Sequence, residues 1–284
     1  MADLALHIAL VSDGSPNQLT GIAVTMTAIR DSLAHHSSNA HFWVALPTDR
    51  TSLASPYLKL AAGTVPMRLI SAKSSEADPY YVQLSLADVF QQVPDEEWII
   101  ALDYDHVLFR PDAFDPWSRV PEPCVSSESY PGPADAYGHD CHIASVDNAL
   151  PHRHLNASLI KGNAGDLKKA GIAWRDTYEA LTPLVPVRNR AELAFSKAVE
   201  SATLDIPPCS TEIQASFAMP DARCMLFHYG GDSAEAVQVK QRLFRLSQEY
   251  PMYQHSLDYF REMHGILRDT CEGLVMKSHS AAGR

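Results

Sequence analysis

Residues 96–111 read EEWIIALDYDHVLFRP, and their reading decides the fold. An apolar run, Trp98–Leu102, meets two carboxylates one residue apart, Asp103 and Asp105, and the chain turns apolar again at once. Such a run flanked by turn residues reads as a buried strand. Carboxylates at its end are costly unless something charged pairs with them. Residues i and i+2 share one face of a strand, so a turn there aims both at one ion. A divalent cation with hard oxygen ligands is the candidate partner.

Working outward from that strand, the first hundred residues alternate. LALHIALVSD is a strand ending on Asp13, and TGIAVTMTAIRDSLAHH has helical spacing with Thr20 as its expected N-cap. AHFWVALPT is a second strand, SLASPYLKLAAG a helix closed by Gly63, VPMRLISAK a third strand and DPYYVQLSLADVFQQV a helix. The βαβαβαβ order predicts an α/β fold with a mostly parallel sheet and helices on both faces. Ligands of such sheets collect beyond the carboxyl ends of the strands, where Asp13, Asp103 and Asp105 all lie.

Beyond residue 111 the alternation is less regular. EPCVSSESY and LNASLIKGN read as strands, AGDLKKAGIAWRDTYEALTPL and RAELAFSKAVES as helices, and ARCMLFHYGGD as a late strand. Residues 130–154 are rich in Pro, Gly, Asp and His and read as a long loop. His139, Cys141, His142, His152 and His154 fall in it without zinc-template spacing, so an acceptor-facing loop is expected there rather than zinc. Residues 233–284 read as a C-terminal helical extension.

The net charge of −11 argues against a nucleic-acid binder. No apolar run reaches the roughly 20 residues of a membrane span. MADLALHIALVSDG has no basic leader pattern, and cysteines 124, 141, 209, 224 and 271 form no CxxC pair. A cytoplasmic protein is expected, with the basic and aromatic C-terminal stretch a candidate contact for a membrane surface or for a second copy of the chain.

Several motifs together resemble the GT-A nucleotide-sugar glycosyltransferases of family 8, which holds glycogenin and the bacterial lipopolysaccharide galactosyltransferases. ALVSDGS (9–15) is similar to the family's first strand, with its nucleobase-contacting aspartate at Asp13. YVQLSLADVF (81–90) follows Tyr-x-Arg-Leu-x-Leu except at Gln83, and Asp103-Tyr104-Asp105 resembles the metal motif. LNASLI resembles Phe-Asn-x-Gly at Asn156, with Ser158 for the glycine. FHYGGDS resembles His-x-x-Gly at His228, Gly230 and Gly231, 123 residues after Asp105.

The resemblance implies a GT-A domain over 1–232, with a nucleotide-binding half (1–110) and an acceptor and sugar half (111–232). It implies transfer of a hexose from a UDP-sugar, with retention rather than inversion, to a glycan, lipid-linked sugar or small-molecule acceptor. Mn2+ or Mg2+ would be held by Asp103, Asp105 and His228. Val11, Ser12, Asp13, Gln83, Tyr104, Gly230, Gly231 and Lys240 would contact the nucleotide, and Asn156 and Glu192 the reacting sugar. An Asp-Gln-Asp segment of the family becomes Arg190, Ala191 and Glu192. A metal-binding His228 must be unprotonated, so activity is expected to fall below about pH 6.

Two other classes compete. IIALDYDHVLF also resembles the first motif of haloacid-dehalogenase phosphohydrolases, with Asp103 as nucleophile, Asp105 as acid/base and Asp232 in a late metal turn. Against it, three β–α units precede the motif, His106 stands where that family has glycine, and no lysine lies between Lys197 and Lys240. A non-catalytic nucleotide binder is the third class, suggested by Gln83 and Ala191.

Overall fold

The computed structural model describes residues 5–33, 39–72, 79–131, 151–181, 187–216 and 223–228. The first half runs β1 (Leu6–Val11), α1 (Pro16–Leu33), β2 (Ala40–Pro47), α2 (Thr48–Ala62), β3 (Met67–Ala72), a 3-10 helix (Pro79–Ser85), α3 (Leu86–Gln92) and β4 (Trp98–Leu102). The second half runs β5 (His106–Leu108), α4 (Pro111–Ser118), β6 (Cys124–Val125), β7 (Tyr130–Pro131), β8 (Arg153–His154), β9 (Leu159–Asn163), α5 (Ala164–Leu181), α6 (Val187–Ser201), β10 (Gln214–Ser216) and β11 (Leu226–His228).

Side-chain alternation builds the layers. Leu6, Ile8 and Leu10 of β1 enter one apolar cluster with Phe42, Val44, Leu46, Ile100 and Leu102. Ala9 and Val11 enter the opposite cluster with Trp43, Ala45, Ile99 and Ala101. A strand apolar on both faces must be covered on both. Ile22, Met26 and Ile29 of α1, Leu58 of α2 and Phe114 of α4 cover the first face. Val89 and Phe90 of α3, Trp174 of α5 and Phe195 of α6 cover the second.

Among the described residues the central sheet has strand order β3-β2-β1-β4-β9-β6. β3, β2, β1 and β4 are parallel, whereas β9 runs antiparallel to both β4 and β6. A second sheet, β10-β11-β5, pairs β11 antiparallel with β5, and β7 pairs with β8. The fold is thus α/β with a mostly parallel six-stranded central sheet and helices on both faces.

Three local expectations are corrected. α1 starts at Pro16, not after Thr20. Proline presets φ for a first helical turn, and the N–H of Ser15 donates to Asp13 Oδ1 at 2.7 Å while the N–H of Asp13 donates to Gln18 Oε1 at 2.8 Å. Residues 79–85 are a 3-10 helix, with α-helix only from Leu86. α2 begins at Thr48, and Gly63 closes it at φ +60°, donating its N–H to Lys59 O at 3.0 Å. At Gly171 of α5 a Cβ would lie 3.1 Å from Ala87 Cβ of α3, so these two helices approach closely. The expected C-terminal extension, residues 233–284, lies outside the described residues, as do 132–150 of the histidine-bearing loop. Of that loop's end, His152 is exposed beside Glu200 and His154 is buried in β8.

Candidate metal centre

Asp103 follows β4, Asp105 precedes β5 and His228 ends β11. The antiparallel register sets His106 directly opposite His228, and their rings stack at 4.8 Å. One donor atom each from Asp103, Asp105 and His228 lies within 4.8 Å of the others. His228 Nε2 is 3.3 Å from Asp105 Oδ1, and that oxygen is buried with no hydrogen bond among the described residues.

The electrostatics fit a site shaped for positive charge. Burial and the neighbouring Asp105 raise the Asp103 carboxyl from 3.8 to about 8. Burial would also raise Asp105, but His228 beside it brings it below the ordinary value. Burial pushes His228 down, yet Asp105 and Glu128 together carry it well above 6.5. His228 therefore keeps a proton to higher pH than an ordinary histidine. Two carboxylates, one of them with an unsatisfied buried oxygen, and an imidazole are a donor set that a divalent cation accepting both oxygen and nitrogen would fit.

Each remaining sequence candidate has a place. Val11 ends β1; Ser12 is buried, its hydroxyl accepting the Gly14 N–H at 2.9 Å. Asp13 is half-buried at the start of the turn into α1. Gln83 Nε2 donates to Asp103 Oδ2 at 3.3 Å, so it touches a candidate metal ligand. Tyr104 packs against the core between the two aspartates. Asn156 Oδ1 accepts the Ser158 N–H at 2.8 Å. Glu192 Oε2 is 3.9 Å from His154 Nε2, and its charge contributes to raising Asp103. Gly230, Gly231, Asp232 and Lys240 lie outside the described residues.

Three supporting residues escaped the sequence reading. Glu128 Oε2 lies 2.7 Å from His228 Nδ1. His106 sends Nδ1–H to Asp103 O at 3.1 Å, and its Nε2 accepts from Gln214 Nε2 at 2.7 Å. Burial and the charge of His228 lower His106 to about 4, which keeps it neutral for both bonds. Gln214 also bonds Ser158 Oγ at 3.3 Å and receives the Ser127 N–H at 2.9 Å. Ser158, which stands for the family's glycine, thus belongs to a buried polar network under the aspartates, and its carbonyl accepts the Asp103 N–H at 2.9 Å. His106 follows Asp105 directly, a signal present in the sequence; Glu128 and Gln214 sit in stretches without motif or period.

No family model matches the chain, and no curated protein does. Solved structures do. A crystal structure of the galactosyltransferase LgtC in complex with donor and acceptor sugar analogues aligns with TM-score 0.52 at 9% identity, over 92% of this chain and 95% of that one. A crystal structure of an LgtC active-site mutant aligns with the same score and coverage at 10% identity. The chain has the GT-A fold.

Proposed function

We propose that this chain is a metal-dependent glycosyltransferase that moves a hexose from a UDP-sugar to an acceptor hydroxyl with retention. The observation that carries the reading is the meeting of Asp103, Asp105 and His228 at the carboxyl end of β4, on a fold shared with LgtC. Asp103, Asp105 and His228 would hold the cation. When bound, it supplies positive charge to the diphosphate leaving group. Gln83 holds the Asp103 carboxylate by its amide nitrogen. The His106–Gln214–Ser158 network fixes the Asp103 backbone, so the carboxylates need little rearrangement to act. Asp13 is assigned to the nucleoside, and Asn156 and Glu192 to the sugar. UDP and the retaining course rest on the motif resemblance.

The fold counts against the phosphohydrolase reading. The non-catalytic reading keeps one observation: Ala191 is buried, with its carbonyl bound to Trp174 Nε1 at 2.9 Å, where the resemblance would place a glutamine.

Thermal denaturation with UDP, GDP and p-nitrophenyl phosphate, each with and without Mn2+, tests the proposal. UDP at about a hundred times its dissociation constant stabilises by roughly 2.7 kcal/mol, worth a few degrees for a chain of this size. The shift is expected only with Mn2+ and is expected to vanish in Asp105→Asn. No nucleotide shift under any condition overturns the proposal. A shift without slow sugar release from any UDP-sugar supports the non-catalytic reading instead.

A further inference from the structure

We infer that Glu128 is the positioning residue of the metal centre: it fixes His228 with Nδ1–H turned away from the aspartates and Nε2 turned toward them. The inference rests on the proposed metal site. Its geometry starts at His228, whose two ring nitrogens face two different carboxylates. Nδ1 is 2.7 Å from Glu128 Oε2, and Nε2 is 3.3 Å from Asp105 Oδ1. Both partners are carboxylates and can only accept, and the contact at Nδ1 is the shorter by far, so in the neutral ring the hydrogen sits on Nδ1 and the lone pair on Nε2. Asp103 and Asp105 converge on that side. A neutral imidazole free to choose its tautomer would spend part of its time with Nε2 protonated and unable to bind a cation.

The turn that carries Glu128 is built to hold it. The Ser126 N–H donates to Leu159 O at 3.0 Å, and the Ser129 N–H closes the turn on Ser126 O at 3.0 Å. The Ser127 N–H is held by Gln214 at 2.9 Å, and the Glu128 N–H reaches Ser126 Oγ at 3.2 Å. Ser129 Oγ receives the Asn156 N–H at 2.9 Å, tying the turn to the segment between β8 and β9. Glu128 is thus fixed from both flanks, and its side chain is only 21% exposed. Ring stacking on His106 holds the plane of His228 from a third direction. Carboxylates placed behind ligating histidines in this way commonly account for about 10- to 100-fold in metal affinity.

The test is Mn2+ affinity, measured by calorimetry and by Mn2+ electron paramagnetic resonance at pH 8, for wild type, Glu128→Gln, Glu128→Ala and Asp105→Asn. Glu128→Ala is expected to weaken Mn2+ about 10- to 100-fold. Glu128→Gln, whose amide oxygen can still accept from Nδ1–H, is expected to recover part of that loss. A 15N-edited NMR spectrum of the metal-free wild type, taken at a pH where the ring is neutral, should show His228 as the Nδ1–H tautomer, and Glu128→Ala should show a mixture. Should the alanine variant misfold by circular dichroism, the glutamine variant and the spectrum decide. Wild-type affinity in the Glu128 variants, with Asp105→Asn defective, overturns the inference and leaves the metal site standing. No Mn2+ binding by wild type overturns both.

Discussion

At the scale of single residues, the proposed metal site would set protons in competition with a cation. The Asp103 carboxyl, raised to about 8, binds a proton in the folded chain at pH values where the unfolded chain has released it. His228, raised above 6.5, does the same. The folded state then holds more protons than the unfolded one, and stability falls as pH rises. For Asp103 the fall runs from about 4, its unfolded value, to about 8; for His228 it starts near 6.5 and ends as its raised folded value is passed. Asp105 and Glu128 are lowered, and their contribution is lost only as pH falls through their folded values. In chelator, the melting temperature of the wild type is therefore expected to decline between pH 5.5 and 8.5. Asp103→Asn should flatten part of that decline. The Mn2+-induced increment should grow over the same interval, because the cation displaces both protons. A flat increment would argue against Asp103 and His228 as ligands.

The strands and helices explain which parts of this molecule could be read in advance. β1, β2 and β4 were legible because each is apolar on both faces and long enough to show it, and Asp103 and Asp105 were legible because they end such a strand. β5 and β10 are three residues each, too short for a period to register. The antiparallel course of β9 depends on the route of the chain between 131 and 159, which its own LIKGN pattern does not encode. Glu128 is visible only once β6 and β11 are placed, since nothing local marks it in a serine-rich turn. Register carries the site as well: shifting β11 by one residue against β5 would exchange the faces of Phe227 and His228. Helix contact offers a separate check. Gly171→Leu would push α5 against Ala87 and Phe90, and overpacking of this kind typically costs about 1–3 kcal/mol. The urea midpoint should fall accordingly while Mn2+ affinity in the folded protein stays near wild type.

At the scale of the whole molecule, the chain pairs a central sheet, with Asp103 just past the end of its β4, with a small second sheet whose β11 ends on His228. Among the described residues no helix is long and apolar enough to cross a membrane. Asp105 and His228 are 123 residues apart in sequence, so their meeting closes a long loop. Contacts of such separation generally form after the local ones that precede them. Interactions absent from the folding transition state act on unfolding alone. Stopped-flow traces with and without Mn2+ should accordingly share one refolding rate and differ in the unfolding rate, with slower unfolding in the loaded protein. Equal slowing of unfolding and quickening of refolding would place the ligand set in the nucleus instead. With a cation in the proposed site, the junction between the two sheets would work as a clasp on a finished object: metal supply would govern how long each molecule lasts, while the speed of its making would stay indifferent to it.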